Sequence, residues 1–320
     1  MLSMNWEWTA EDSLVDYGNG LWQIDLGFQS RRGIISAWLL VGGDRLALIE
    51  TGPASTLENL QSALAKLDLH TTDISDILLT HIHLDHAGAA GLLAQANSDA
   101  RIYVHPFGAP HVIDPAKLIA SATRIYAEQM DSLWGPILPI PEQQVVVYDD
   151  GGVVTAAGRQ LEVIFTPGHA WHHVALFEAE SGVLFTGDAA GIRMPGESFV
   201  CPPTPPPDLD PDAWRTSIAA MRDREPKRLC LAHFGSYENP LAQLDALEEH
   251  LGRFMSIGEE SFAAGEDQEA LTARLHQELR ASLGNGDPEV LASYELATPS
   301  YMAAMGLTRY WKKRSEQQPG

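Results

Sequence analysis

Four residues with metal-ligand chemistry fall within six positions of this chain, in His81-x-His83-x-Asp85-His86. In an extended His-x-His both side chains point to one side, because strand side chains alternate with period two. Asp85 and His86 follow a turn and approach from another direction. Imidazole nitrogen and carboxylate oxygen suit zinc, iron or manganese. Four such groups are more than one metal takes from one loop, so the stretch points to two metals. Three further residues share one logic. His169 follows Thr166-Pro167-Gly168, Asp188 follows Phe185-Thr186-Gly187, and His233 follows Leu229-Cys230-Leu231-Ala232. Each is a polar residue just past the end of an apolar strand. Any one of them alone reads more readily as structural; with the clustered four they complete a set of seven.

The elements that must position these groups follow from periodicity. Residues 74–79 form an apolar run that predicts a buried strand leading into the cluster, and residues 87–94 predict a helix start after it. Strand ends gathered at one edge of an α/β sheet form ligand sites. Upstream, residues 21–27 alternate as a strand and 34–41 form a buried strand. Gly42-Gly43-Asp44 then turns the chain into a returning strand at 45–50. Thr51-Gly52-Pro53 breaks it, and residues 54–67 carry Leu57, Leu60, Leu64 and Leu67 on one helical face. Downstream come a strand at 102–105, helical character over 116–133, and a proline-rich loop to 141 that can cover the site. Short strands are expected at 145–148, 153–155, 161–165, 174–177, 183–185 and 228–232. Pro202-Pro203-Thr204-Pro205-Pro206-Pro207 is a stiff extended segment, and Asp210-Pro211 opens a helix through Met221. From Leu241 the pattern is helical, with Leu241, Leu244, Leu247 and Leu251 on one face; Gly265, residues 284–288 and Pro299 divide it into three or four helices. The chain divides into 1–238, a catalytic unit, and 239–320, a helical appendage.

Of 320 residues, 45% are apolar, and 43 acidic against 21 basic residues give a net charge of −22. So acidic a surface repels phosphate backbones and anionic lipid, so neither nucleic acid nor a membrane is an expected partner. Cys201 and Cys230 read as reduced thiols rather than a disulfide framework. The first eight residues carry no signal peptide or membrane-span pattern, so the expected location is the cytoplasm. The apolar helix faces of the appendage must be buried against the core or a second subunit, which leaves a homodimer open.

The motif set resembles the metallo-β-lactamase-fold superfamily of metal-dependent hydrolases, over about the first 235 residues. Its order and spacing are more similar to glyoxalase II and its relatives than to true β-lactamases, many of which carry cysteine where this chain has Asp188. The resemblance implies an αββα sandwich with the metals at one edge. It implies that His81, His83 and His169 hold one metal, that Asp85, His86 and His233 hold the other, and that Asp188 bridges them. Two divalent transition metals are implied, zinc first, with iron or manganese as alternatives. Such metals share a bridging hydroxide, because they lower the pKa of bound water toward about 7. The expected reaction is cleavage of an ester, thioester or lactone of a small molecule, with Asp85 taking or relaying the proton. The likeness does not extend to the substrate. Gly191 stands where superfamily lactonases carry tyrosine, Gly235 stands where glyoxalase II carries one, and Arg309, Tyr310, Lys312 and Lys313 read as a solvated helix end. The alternatives are a phosphodiesterase or nuclease-type member, a persulfide-dioxygenase-like oxidoreductase with one iron, and a non-catalytic metal-binding scaffold. Trp134, His173 and Phe234 are candidate pocket residues, as is the proline segment, although His173 also fits a supporting role. His70, His105 and His111 read as loop or strand-end residues, and His250 and His276 as solvent-facing on helices.

Overall fold

The computed structural model describes residues 6–43, 45–284 and 286–317. Asp44 of the expected turn, Asn285, the first five residues and the last three lie outside these. The first of two sheets holds β1 (Leu14–Asp16), β2 (Leu21–Asp25), β3 (Ser36–Gly42), β4 (Arg45–Ile49), β5 (Ile74–Leu78), β6 (Arg101–Val104) and β7 (Val145–Val147), side by side in chain order. β1 to β4 form an antiparallel meander, and β4 to β7 run parallel. The second holds β8 (Val153–Ala156), β9 (Arg159–Phe165), β10 (Val174–Glu178), β11 (Val183–Gly187), β12 (Arg228–Leu231) and β13 (Ser236–Tyr237), again as neighbours in chain order. All its pairs are antiparallel except β11 with β12.

A parallel neighbour cannot be reached by a tight turn, so helices make these crossovers. α1 (Leu57–Ala65) joins β4 to β5, and α2 (Leu84–Ala87) with α3 (Ala90–Ala96) joins β5 to β6. α4 (Ala109–Ile113), α5 (Ala116–Tyr126) and α6 (Met130–Trp134) lie between β6 and β7, and α7 (Pro211–Asp223) between β11 and β12. Strand alternation sets the layers. In β3, Trp38 and Leu40 face the second sheet, while Ala37 and Leu39 face helices. The Trp38 ring meets Phe185 edge-on at 6.1 Å, and its Nε1 donates to the Leu231 carbonyl at 3.0 Å. The result is an αββα sandwich. β1 and β13 were not legible in advance: both are short edge strands, partly exposed, with no apolar alternation to read.

Four C-terminal helices follow: α8 (Pro240–Ala264), α9 (Gln268–Ser282), α10 (Pro288–Ala297) and α11 (Ser300–Gln317). Leu244, Leu247 and Leu251 share one buried cluster with Ile192, Phe199 and Met221. Leu241, expected on that face, is exposed, because the first turn of α8 buries Pro240, Gln243 and Leu244 and leaves Leu241 off the buried stripe. His250 is likewise not solvent-facing. It is half-buried against Phe199 at 4.6 Å, with Nδ1 at 2.8 Å from the Val200 carbonyl. His276 is exposed and pairs with Glu295 at 2.8 Å. Tyr294 donates to the Phe199 carbonyl at 2.6 Å and accepts from the Met194 amide at 3.2 Å. The appendage therefore clamps the segment that leads into the prolines. We propose 1–238 and 239–320 as the two folding units, with apolar packing continuous across the division. Among the described residues no helix is long and apolar enough to cross a membrane.

Candidate metal centre

β5 stops at Leu78, the chain bends at Thr80, and His81 and His83 lie in the irregular stretch before α2 begins, with His83 extended. Asp85 and His86 occupy that helix's short first turn. His169 lies in the loop between β9 and β10, Asp188 directly follows β11, and His233 lies just beyond β12. All seven residues meet at one edge of the sandwich. Gly187 makes the turn into Asp188 with φ +48°, and a Cβ there would lie 2.4 Å from Thr80 Oγ1 and 2.7 Å from His173 Nε2. No larger residue fits that approach.

The donors form two groups. His83 Nδ1 lies 2.9 Å from His81 Nε2 and 3.0 Å from His169 Nε2. His233 Nε2 lies 3.2 Å and His86 Nε2 3.6 Å from Asp85 Oδ2. Asp188 stands between them. Its Oδ2 is 3.4 Å from His169 Nε2, while Oδ1 is 3.3 Å from His86 Nε2 and 3.7 Å from His233 Nε2. Within each group of three the ligand atoms lie within 4.8 Å of one another.

Four of the five rings, all but His83, are aimed by what their other nitrogen touches. His169 Nδ1 meets the Pro203 carbonyl at 2.9 Å, and His233 Nδ1 the Ile34 carbonyl at 2.8 Å. His86 Nδ1 meets Glu50 Oε1 at 3.1 Å, and His81 Nδ1 meets Thr80 Oγ1 at 3.0 Å. A ring that donates from Nδ1 presents the Nε2 lone pair to the centre. Glu50 also accepts from Thr80 Oγ1 and holds φ +64°, an unfavourable backbone region kept at the end of β4. A third cluster, Glu50 with His81 and His86, is thus the backing of the first two, since Glu50 is committed to Thr80 and His86.

Burial and charge divide the groups. Burial lowers His81 well below the usual imidazole range, with the His86 and His83 rings acting the same way. Burial also takes His83 down to about 3 and lowers His169. These three rings are neutral near pH 7 and free to donate a lone pair. Burial opposes charge on His86 and His233 as well, but the Asp188 and Asp85 carboxylates outweigh it and raise both. In return the two histidines outweigh burial at Asp85, held at about 2, and at Asp188, held well below the carboxylate range. His86 Nε2, His233 Nε2 and Asp188 Oδ1 are buried with no hydrogen-bond partner. Three converging orphans would be costly unless a shared cation satisfies them. The residues fit a metal.

The centre opens into a cavity of ≈ 340 Å³. His83, Asp85, His169 and Asp188 line its floor. α5 and Trp134 form one wall; the prolines, Asp208 and the turn from α10 to α11 form the other. Trp134 stacks on Phe28 at 5.7 Å. His173 and Phe234, expected in the pocket, do not line it. His173 is fully buried beneath the centre, where it takes the Asp188 amide at Nε2 (3.1 Å) and meets Thr166 Oγ1 at Nδ1 (2.7 Å), so it positions Asp188. Phe234 is half-buried in the turn from β12 to β13, because the chain folds back at Gly235 and leaves the site. Arg309 is more than a solvated helix end: its Nε donates to the Pro207 carbonyl at 3.3 Å. His111 lies on α4 and lines the cavity.

Sequence reasoning missed Glu50 and His172. Glu50 carried the signal used for the others, a carboxylate at the end of an apolar strand. His172 lines the cavity with its ring 5.6 Å from His83, and only its nearness to His169 in the chain hinted at that.

The family model described as the metallo-beta-lactamase superfamily matches residues 30–233. The metallo-beta-lactamase fold-containing protein ST1585 of Sulfurisphaera tokodaii is 28% identical over 240 residues, 74% of this chain and 85% of that one. The atrochrysone carboxyl ACP thioesterase of Aspergillus fumigatus is 32% identical over 148 residues, 46% of this chain but only 36% of its own length. Among solved structures, the metallo-beta-lactamase family protein TTHA1429 from Thermus thermophilus superposes with a TM-score of 0.64 at 22% identity, covering 94% of this chain and 95% of its own. That coverage extends the likeness in fold into the C-terminal helices. The family match takes in both donor groups and Asp188, and this chain belongs to the metallo-β-lactamase superfamily.

Proposed function

We propose that this chain is a two-metal hydrolase that cleaves an ester, thioester or lactone of a small organic molecule. One observation carries this: Asp188 turns its two oxygens to two separate donor groups, on the floor of a mostly apolar cavity. His81, His83 and His169 would hold one metal, Asp85, His86 and His233 the other, and Asp188 both. The nitrogen-rich donors suit zinc first, with iron and manganese also accepted. Bound there, divalent metals supply Lewis-acid activation of water and of the carbonyl.

The chain's own residues do the rest. Asp85, kept ionised by His86 and His233, accepts the proton of the attacking water at a carboxylate oxygen. Glu50, Thr80 and the Pro203 and Ile34 carbonyls fix the rings, so little reorganisation accompanies the reaction. The mostly apolar cavity walls would shelter the acyl group of a bound substrate from water. Esters and thioesters fit better than lactones. A relative in part of the chain is named a thioesterase. No side chain at position 191 can reach the centre, since Gly191 has φ +79° and its Cβ would lie 2.6 Å from Val200 Cγ1.

The test is elemental analysis of freshly purified protein, followed by a panel of nitrophenyl acetate, thioesters, lactones and phosphodiesters. Bound metal and chelator-sensitive turnover of the carbonyl substrates are expected. Protein that carries no metal, or turnover that survives a chelator, would remove the proposal. A preference for phosphodiesters would move the chain to the nuclease-type alternative.

A further inference from the structure

The long wall of the cavity is one face of α5, from Lys117 through Ser121, Ala122 and Ile125 to Tyr126. They form a broad stripe of two adjacent rows, Lys117, Ser121 and Ile125 beside Ala122 and Tyr126, about half the helix wide with Lys117 and Tyr126 at its opposite edges. Lys117 and Tyr126 are nine positions apart, which places them about 13 Å apart along the helix axis. Both ends of the stripe belong to the same cavity, and their chemistry differs.

At the inner end Tyr126 packs edge-on against Trp134 at 4.9 Å, and Trp134 rests on Phe28. The Tyr126 hydroxyl makes no hydrogen bond among the described residues. At the outer end stand Lys117, His111 and Asp208. Asp208 faces His172 Nε2 at 4.0 Å and lies in the field of Arg309 and Lys313, so its charge is answered from its own side. Lys117 is exposed and has no ion pair or hydrogen bond among the described residues, in a chain of net charge −22. The floor connects the two ends. His83, Asp85, His169 and Asp188 line the same cavity as both ends of the stripe.

We propose that the cavity takes an ester or thioester stretched along α5, with an apolar or aromatic acyl group against Tyr126 and Trp134 and an anionic group beyond the scissile bond against Lys117. This rests on the hydrolase proposal and names its substrate class. Carboxylate and phosphate share the required chemistry. The acidic surface repels any anion in bulk, so an uncompensated ammonium at the cavity rim selects by position as well as by charge. A substrate with no charge at that distance gains nothing from Lys117. An anion too close to the scissile bond meets Asp208 instead.

The experiment uses metal-loaded protein and probes that cannot be hydrolysed: phenylalkyl ethers of matched length ending in a carboxylate, a phosphate or a neutral methyl amide. Binding is measured by calorimetry to the wild type, Lys117→Met, Lys117→Gln and Tyr126→Ala. We expect one or both anionic probes to bind about tenfold or more weakly to both Lys117 variants, the neutral probe to bind the wild type and those variants alike, and every probe to bind Tyr126→Ala more weakly. The anion that loses more identifies the headgroup. Anionic probes that bind the Lys117 variants as well as the wild type are sitting on the metals instead, and this overturns the proposal. Equal losses for neutral and anionic probes overturn it too. The probes carry no scissile bond, so the outcome is separate from the ester panel: hydrolysis can fail while this pattern appears, and the reverse.

Discussion

The floor of the cavity is carried by strand ends, and its roof by helices and prolines drawn from three distant stretches. At and beneath the floor, His81, His86, His169 and His233 are nearly fully buried, and each is held through Nδ1 by an oxygen at 2.8–3.1 Å. On the roof, Leu118, Ile125 and Tyr126 are half-buried. α6 is tied down by two bonds to its last turn, from Ser55 Oγ to Leu133 O at 2.6 Å and from Gln29 Nε2 to Ser132 O at 2.7 Å. A floor so constrained can hold a demanding charge arrangement. A roof on few bonds can change its lining without disturbing that arrangement. The contrast separates a centre that sets the chemistry from walls that choose what reaches it.

The sharpest way to break the contrast is at Asp188, the residue both donor groups share. Asp188→Ala should bring turnover to background and remove at least one metal, read by elemental analysis beside kinetics. Full metal content with full turnover in that variant would mean the groups do not depend on a bridge. The next largest effect is expected at Glu50, which touches no substrate. Glu50→Gln keeps the shape and removes the charge that aligns His86. Metal affinity should fall about 10–100-fold, as when partners behind a ligand are lost. Competition with a chelating dye reads it, and unchanged affinity would demote Glu50 to a packing role.

Floor and roof also differ in how far they could be read from the sequence. The four clustered residues lie within six positions, and His169, Asp188 and His233 each follow an apolar strand, so local pattern was enough to name the candidates that the fold brings together. The same rule would have found Glu50, whose strand ends one residue earlier. The central strands were legible because β3, β10 and β11 are continuous apolar runs buried on both faces, whereas β1 and β13 bury too little to show a pattern. The roof was harder. Trp134 and the prolines were expected there, but the stripe on α5 and the turn at Pro299 meet only after the chain has crossed both sheets. His173 and Phe234 failed for the same reason: nearness in sequence to a donor does not say on which side of the centre a residue lies.

The roof has its own prediction, smaller than those at the floor. Replacing Pro205, Pro206 and Pro207 with Gly or Ser leaves the Pro203 carbonyl that His169 uses. It frees a wall whose ordering the prolines now supply at little entropic cost. Metals should be retained, and kcat/KM should fall about tenfold, or roughly 1.4 kcal/mol of transition-state binding. Loss of metal in that variant would show that roof and floor are coupled, and the contrast would fail. Unchanged kinetics with a lower Tm would make the segment a spacer.

The last test belongs to His105 and reads stability rather than turnover; it approaches the strand-end rule from the other side. It follows β6 as the candidate ligands follow their strands, yet it joins neither candidate donor group. It is buried against Phe165, with ring centroids 4.2 Å apart, and its Nδ1 accepts the Phe107 amide at 3.0 Å. A protonated ring could not accept that bond. Burial lowers its pKa to about 4, with Asp150 opposing. In the unfolded chain the ring titrates near 6.5. Between these values the unfolded state binds a proton that the folded state refuses, so the His105 contribution is complete above about pH 7, declines as pH falls through 6.5, and stops declining below about 4. The loss should reach about 1–2 kcal/mol at pH 5. Urea unfolding of the wild type and His105→Asn at pH 7.5 and pH 5 isolates it, because the histidines of the centre contribute alike to both proteins. The asparagine variant, which can still accept from Phe107, should lose less stability on acidification by that amount while keeping its metals. Equal losses would mean His105 is not held neutral. Loss of metal would place it with the donors, and a strand-end histidine would then be a ligand in every case this fold offers.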